Sequence, residues 1–545
     1  MKKRFLLTAL IALLLLSLTL FASSCNSGDD STEEAPTDAT EVEQTEAQTE
    51  KSTTKKQNTK KENEYPSAML DPATNILPAY PSNGFDQVAV DLGEGSYMNV
   101  AKKTSLEDYN AYKAILEEEG YTLYTTNVIG NNQFATYYSD KKIVNVMFLA
   151  YNFNLYSGNV SEFKGSYEVR VTVDSRDRFS LPALKEENVY EETYAPSFTL
   201  ISDSDIIWPG RMGFVFQLSD GSFFIIDGGY TDGNNGSSGG INQLGISTGC
   251  KSSAPYLMKV LKEHAPDPDN IVISTWLITH MHEDHVGAFI DLALNADYAE
   301  DKNRLTIENV IYSTSSDKNL KKISMAQVYW TQAFQRALTD EGFGSQIQNK
   351  VKAHPGQQFF VRDITCTVYS SEDTLHCNTL DPFEDNKYVN NTSIVTKINF
   401  MGKDMLFLAD SSAANNPGVL EPLYNVELKA DVLQVAHHGY GDTSAGAIYK
   451  YVKPEIVIWP VYAQHFYGYE IGYMEREKEY GGVKNVGFNQ ILFEDGIRHY
   501  IHGSTNMTIK DFETWTPEPT DDPLQIYDKN TWVPDVNYIK DHEYK

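Results

Sequence analysis

From about Tyr65 onward, apolar positions recur with helical or strand periods, and these periods predict the elements of the chain. In "SLEDYNAYKAILEEEGY" Leu106, Tyr109, Tyr112, Ile115 and Leu116 fall three or four apart behind an acidic first turn, and Gly120 follows. That pattern predicts an amphipathic helix with a glycine stop. "QFATYYSDKKIVNVMFLAY" predicts a hairpin turning near Asp140 and Lys141, and "YEVRVTVDS" alternates as a strand does. Together they predict a small α+β unit over residues 65 to 195, with no concentration of His, Cys or carboxylate. Further on, "MGFVFQLSDGSFFIIDGGY" sets two apolar runs around Asp220 and Gly221, a short hairpin signal, and closes the second run with Asp227 before Gly228 and Gly229. A helical stretch at residues 254 to 264 leads into "NIVISTWLITH", a largely apolar strand of the kind buried on both faces.

Ahead of these elements the pattern is different. Lys2, Lys3 and Arg4 precede an apolar run from Phe5 to about Ala22, and Ser23, Ser24 and Cys25 follow. Residues 1 to 25 read as an export signal cut before a lipid-modified Cys25, which places the protein outside the cytoplasm, anchored to the membrane at the cell surface. Ala22 replaces the more usual Leu or Val, so an uncleaved anchor or plain secretion are the alternatives. Residues 26 to 64 are nearly all Thr, Glu, Asp, Lys, Gln, Ser and Asn. They cannot bury enough apolar surface to offset ordering entropy and read as a tether. The remaining stretch of about 480 residues exceeds what one core usually covers, so a second domain is expected at 196 to 515, with a tail at 516 to 545.

Charge and cysteine content narrow the function classes. The formal net charge of −30 opposes binding to polyanions. Lys318, Lys321 and Lys322 are the nearest approach to a basic cluster, and such a cluster is usually a solvated face. Nucleic acid is therefore disfavoured as a partner, and a small molecule or cell-envelope polymer is expected. Besides Cys25, the cysteines are Cys250, Cys366 and Cys377, without Cys-x-x-Cys spacing. This excludes a disulfide framework and a thiolate zinc knuckle, and leaves a Cys366–Cys377 pair or buried thiols.

The chemistry concentrates in "LITHMHEDHVGAF", which uses three of the 12 histidines. Residues two apart at a strand end point to one side, so His280 and His282 can aim at one metal. Asp284 and His285, where the chain should turn into a helix beginning "VGAF", diverge toward a second point. Two divalent ions fit this spacing better than one, and imidazole with carboxylate selects zinc, with manganese or iron as alternatives, over calcium.

His-x-His-x-Asp-His after an apolar strand, "DMLFLADSS" and "ADVLQVAHHGY", in that order, resemble the metallo-β-lactamase superfamily over residues 197 to 505. "NNTSIV" and "VAHHGYGDTS" look most like the domain of that type in bacterial DNA-uptake channels, and the surface phosphorylcholine esterases are also similar. The resemblance implies an α/β (α+β) fold, an αββα sandwich, and a hydrolase acting on a phosphoester. It implies that Asp410 bridges the metals and orients a hydroxide whose formation they favour, and that Asp227 holds a ligand histidine by hydrogen bonding. It implies that the last histidine ligand is His437 or His438. Adjacent strand residues face opposite ways, so which one binds stays open, the other being a candidate proton donor; Asp284, Asp410, His438 and His465 are the candidate catalytic residues. One departure stands out: where many members supply a further histidine, this chain has Asn390, Asn391 and Thr392, with Asn391 placed beside the ligands. His354 and His376 are the intervening histidines, and His376 is the possible replacement. His465 in "WPVYAQHFYGYE" lies about where relatives place a phosphate-contacting segment, and the loop "TDGNNGSSGG" follows the Asp227 turn. A lactone, thioester or β-lactam hydrolase, or a non-catalytic metal-containing lipoprotein, are the alternatives.

Overall fold

The computed structural model of the chain describes residues 77–81, 90–152, 165–201, 212–231, 252–375, 389–439, 443–460, 499–502 and 507–516. The predicted signal and tether, Cys25, Cys250, His376, Cys377 and His465 lie outside them, as do residues 232–240 of the glycine-rich loop and residues 517–545 of the C-terminal tail.

The chain is α/β, with three sheets. The first holds β1 (Val90–Asp91), β2 (Tyr97–Lys102), β3 (Thr122–Ile129), β4 (Asn132–Tyr138), β5 (Lys142–Asn152) and β6 (Gly165–Ser175) in the order β1-β2-β6-β5-β4-β3. Helix α1 (Leu106–Glu118) starts where the sequence places it, because Ser105 accepts from the Asp108 N–H and the Asp108 side chain returns the bond to Ser105. Its inward face is Tyr109, Tyr112 and Leu116, whereas Leu106 is 40 % exposed.

The other two sheets form a sandwich. One combines β7 (Ser197–Leu200), β8 (Gly213–Gln217), β9 (Phe223–Asp227), β10 (Ile271–Leu277), β11 (Leu305–Tyr312), β12 (Ile347–Lys352) and, at its edge, Thr508–Ile509. The other combines β13 (Gln358–Val361), β14 (Ile364–Ser370), β15 (Val395–Phe400), β16 (Lys403–Phe407), β17 (Val432–Gln434), β18 (Ile456–Trp459) and His499–His502. Each is antiparallel on one side and parallel on the other, with β9 beside β10 and β16 beside β17 as parallel pairs. The sheets meet through aromatic rings: Phe214 lies 5.0 Å from Phe407 and Phe216 lies 5.2 Å from Phe400. Helices α2 (Ala254–His264), α3 (Glu283–Leu294) and α4 (Met325–Ala337) cover the outer face of the first, packing on Trp276. Helix α5 (Gly446–Val452) covers the second. This is the αββα arrangement the sequence implied. Among the described residues no helix is long and apolar enough to cross a membrane.

The small sheet uses both of its faces. Along β5 the side chains alternate: Val144, Val146 and Phe148 turn to α1, while Met147, Leu149 and Tyr151 join the core that holds Leu420, Leu423 and Tyr424. Polar bonds reinforce that contact. Arg170 pairs with Glu168 at 3.0 Å and donates to the Asp373 carbonyl, and Asn132 donates to the Leu423 carbonyl at 2.8 Å. His354 is fully buried between Asp174, 2.8 Å away on β6, and Asp373, and the charge of Lys352 also acts on Asp174. It is therefore committed to this junction and supplies no metal ligand.

Burial alone would lower the His354 pKa, but the two carboxylates outweigh it and raise it to about 10. The raised value makes its stabilisation complete below the ordinary histidine pKa of about 6.5 and progressively lost as pH climbs through about 10. His354→Gln should cost roughly 3–5 kcal/mol at neutral pH. Urea unfolding of both proteins from pH 6.5 to 10 should show the difference between them shrinking; a pH-independent gap would contradict the charged clamp.

Candidate metal centre

The C-terminal ends of the parallel pairs β9/β10 and β16/β17 lie at one edge of the sandwich, where open α/β sheets usually bind ligands. Asp227 ends β9 with a φ of 55°. Its Oδ1 accepts the Thr279 N–H at 2.8 Å, and its Oδ2 accepts the Thr279 hydroxyl at 2.8 Å and faces His285 Nδ1 at 2.8 Å. The Trp276 indole donates to the Asp227 carbonyl at 2.8 Å. A carboxylate that cannot move thus anchors the segment after β10.

That segment was expected to become helical at Val286, but α3 starts at Glu283. His282 is the extended residue before it (φ −86°, ψ 152°), and Glu283 and Asp284 occupy the first turn, where the helix dipole favours acids. His280 and His282 therefore precede the helix and converge, while Asp284 and His285 lie in its first turn, the His285 ring 4.1 Å from that of His280. Gly287 lets α3 approach the strand end closely: Gly229 bridges Val286, and the Ala288 N–H donates to the Gly229 carbonyl at 3.1 Å.

The second pair of strands delivers Asp410, His437 and His438. The expectation that the two histidines alternate as strand residues does not hold. Strand β17 ends at Gln434, and His437 and His438 both lie in the left-handed region, with φ of 46° and 53°. The turn brings both rings toward Asp410: His437 Nε2 lies 3.8 Å from Oδ2 and His438 Nε2 3.6 Å from Oδ1.

Asp410 stands between two groups. Its Oδ2 lies 3.8 Å from His280 Nε2, and His280 Nε2 faces His282 Nδ1 at 3.1 Å. Its Oδ1 lies 3.2 Å from His285 Nε2, and Asp284 Oδ2 lies 3.0 Å from His438 Nε2. Within each group, His280–His282–Asp410 and Asp284–His285–His438–Asp410, the ligand atoms all lie within 4.8 Å of one another. Two nitrogens bound to one tetrahedral zinc at about 2.0–2.1 Å sit roughly 3.4 Å apart, close to the His280–His282 separation.

Tautomers agree with metal binding. His438 Nδ1 lies 2.9 Å from the Pro460 carbonyl and donates to it, and the Nδ1 of His285 faces Asp227, so both present Nε2 to the centre. His285 Nε2, His438 Nε2 and Asp410 Oδ1 are all buried and make no well-aligned hydrogen bond, although carboxylate oxygens lie 3.2 Å from the first and 3.0 Å from the second. Buried polar atoms are normally paired, and a cation at their focus would satisfy all three. The donor set therefore fits divalent ions: three residues for the first group, four for the second, with Asp410 common to both.

Electrostatics leave lone pairs free at the first group and favour positive charge at the second. Burial, then the neighbouring His285 and His282, holds His280 well below the ordinary histidine range, and burial lowers His282 to about 4. Both stay neutral, with lone pairs available. Burial also opposes charge on His285, but Asp410, Asp227 and Asp284 outweigh it and raise its pKa well above the ordinary value. Burial likewise works against the carboxylate of Asp410, and His285 with His438 and His437 overcomes it, so Asp410 stays ionised well below the usual range.

The remaining expectations divide. Asn391 lies beside the centre: its side-chain oxygen accepts from Ser412, two residues after Asp410, and Asn415 donates to its carbonyl at 3.0 Å. Cys366 is a buried free thiol. Thr279 was missed, although it ties Asp227 in place and its hydroxyl lies 3.2 Å from His280 Nδ1. Its position immediately before the first histidine at a strand end was the available signal.

Neither the family models nor the curated proteins give a match to this chain. Among solved structures, it is similar to the metallo-β-lactamase fold protein YhfI from Bacillus subtilis, with 14 % identity over 58 % of this chain and 99 % of that one and a TM-score of 0.31. It is also similar to CmlA, a diiron β-hydroxylase from Streptomyces venezuelae, with 13 % identity over 56 % of this chain and 53 % of that one and a TM-score of 0.33. A third is Zn2+-bound PqqB from Methylobacterium extorquens, with 11 % identity over 44 % of this chain and 72 % of that one and a TM-score of 0.23. The chain spans about half the length of CmlA.

Proposed function

We propose that the chain is an extracytoplasmic hydrolase that holds two divalent ions, zinc by preference, and cleaves a phosphoester. The observation that carries this reading is Asp410, a buried carboxylate whose two oxygens face two separate sets of ligands. Bound ions would supply Lewis acidity and make water acidic enough to attack at neutral pH. The chain's residues do the rest. His280 and His282 would hold the first ion, and Asp284, His285 and His438 the second. Asp227 orients His285 through Nδ1, and the Pro460 carbonyl orients His438. His438 thus belongs to the ligands, and the substrate-facing role passes to His437, which keeps 16 % of its side chain exposed. The first set has fewer protein ligands and so leaves room for a substrate oxygen.

Support for a phosphoester comes from the resemblance of "NNTSIV" and "VAHHGYGDTS" and from the paired sites, which suit a displacement in which attacking and leaving oxygens both need stabilising. The net charge of −30 favours a small or envelope-derived ester over a nucleic acid. Export and attachment through Cys25 belong to the same reading, and Cys25→Ser should release the protein from the membrane fraction.

Purified chain should contain two ions and hydrolyse bis(p-nitrophenyl) phosphate, lose that activity on chelation and regain it with zinc or manganese. Turnover of lactones, thioesters or β-lactams alone would reassign the substrate on the same site. Bound metal without turnover of any ester would favour a binding lipoprotein, and absence of metal after reconstitution would end the proposal.

A further inference from the structure

Strands β16 and β17 deliver Asp410 and the two histidines, and a side chain that is not a ligand ties their ends together. Gln434, the last residue of β17, is 1 % exposed. Its Oε1 accepts the backbone N–H groups of Leu408 at 2.8 Å and Ala409 at 2.7 Å. Its Nε2 donates to the Ala409 carbonyl at 3.1 Å and to that of Val435. The same Ala409 carbonyl accepts the His437 N–H at 2.9 Å. Ala409, directly before Asp410, has a φ of 49°, which an L residue adopts at a cost and keeps only when its surroundings enforce it.

The paired register ends with Phe407 opposite Gln434, so beyond it the Leu408 and Ala409 N–H groups would be buried and unpaired. A carboxamide suits this position because it accepts and donates from one planar end; glutamate brings no donor when ionised, lysine no acceptor, methionine neither in strength.

We propose that Gln434 is a positioning residue of the metal centre: its carboxamide fixes the left-handed turn at Ala409 and so aims Asp410 between the two ligand groups. This rests on the metal reading above. The test measures zinc affinity by chelator competition, ion content and kinetics in the full chain, for wild type, Gln434→Glu and Gln434→Met. Glu keeps the accepting oxygen and loses the donor; Met loses both. Affinity should fall about 10- to 100-fold, more for Met than for Glu, with kcat reduced and KM within about twofold.

Folded variants that melt at a lower temperature but bind zinc as tightly as wild type overturn the inference, since that is all a strand-stabilising role would do. Unfolding of both variants overturns it too, because it would make Gln434 a residue of the fold. A wild-type chain that takes up no zinc removes the metal reading itself.

Discussion

Asp410→Asn should abolish turnover, lowering kcat/KM by on the order of 10³-fold or more, and should strip both ions from the centre. The reason is specific to this carboxylate. Its Oδ1 faces His285 and His438 while its Oδ2 faces His280 and His437. An amide offers one neutral oxygen and an NH2 group with two donor hydrogens, so it can serve one group at most and opposes a cation at the other. Loss of its charge also leaves His285 with Asp227 and Asp284 alone, weakening what favours a cation there. Far-ultraviolet circular dichroism should be unchanged, and metal analysis and ester hydrolysis read the effect. A variant that retains two ions and full activity would rule out a bridging role for Asp410.

The second large effect concerns shape. A methyl group on Gly287 would lie 2.1 Å from the Thr231 nitrogen, 2.3 Å from the Tyr230 carbonyl carbon and 2.7 Å from the Gly229 oxygen. All three are backbone atoms and cannot rotate away. Local propensity favours the substitution, since alanine exceeds glycine in helices by about 1 kcal/mol, yet the clash requires α3 to retreat from the strand end. The net loss should be at least about 2 kcal/mol, and the retreat carries Asp284 and His285 with it. Gly287→Ala should therefore melt several degrees lower and lose affinity for the second ion. Thermal unfolding and metal titration decide; wild-type values in both would mean that helix and strand do not meet this closely.

What the sequence revealed follows from the range of each interaction. The hairpin from Gly213 to Asp227, the helix from Ala254 to His264 and the strand from Ile271 to Leu277 are set by periodicity and turn residues a few positions apart, and they were legible. So was the convergence of His280 and His282. The aim of His437 and His438 was not, because two consecutive non-glycine residues in the left-handed region carry no local signal. His354 was invisible for a different reason: its partner Asp174 lies 180 positions away, and only the folded chain brings them together. Gln434 reads as an ordinary strand residue until its four partners are seen.

The buried contact between the small sheet and the sandwich bears on how this protein can be divided. A shortened chain beginning at residue 196 would leave His354 with one carboxylate in place of two, expose the apolar side of Leu420, Leu423 and Tyr424, and deprive Lys352 of the Leu92 carbonyl that it contacts at 2.5 Å. The sandwich is therefore not built to stand alone: a chain without the small sheet should unfold more readily than the full one.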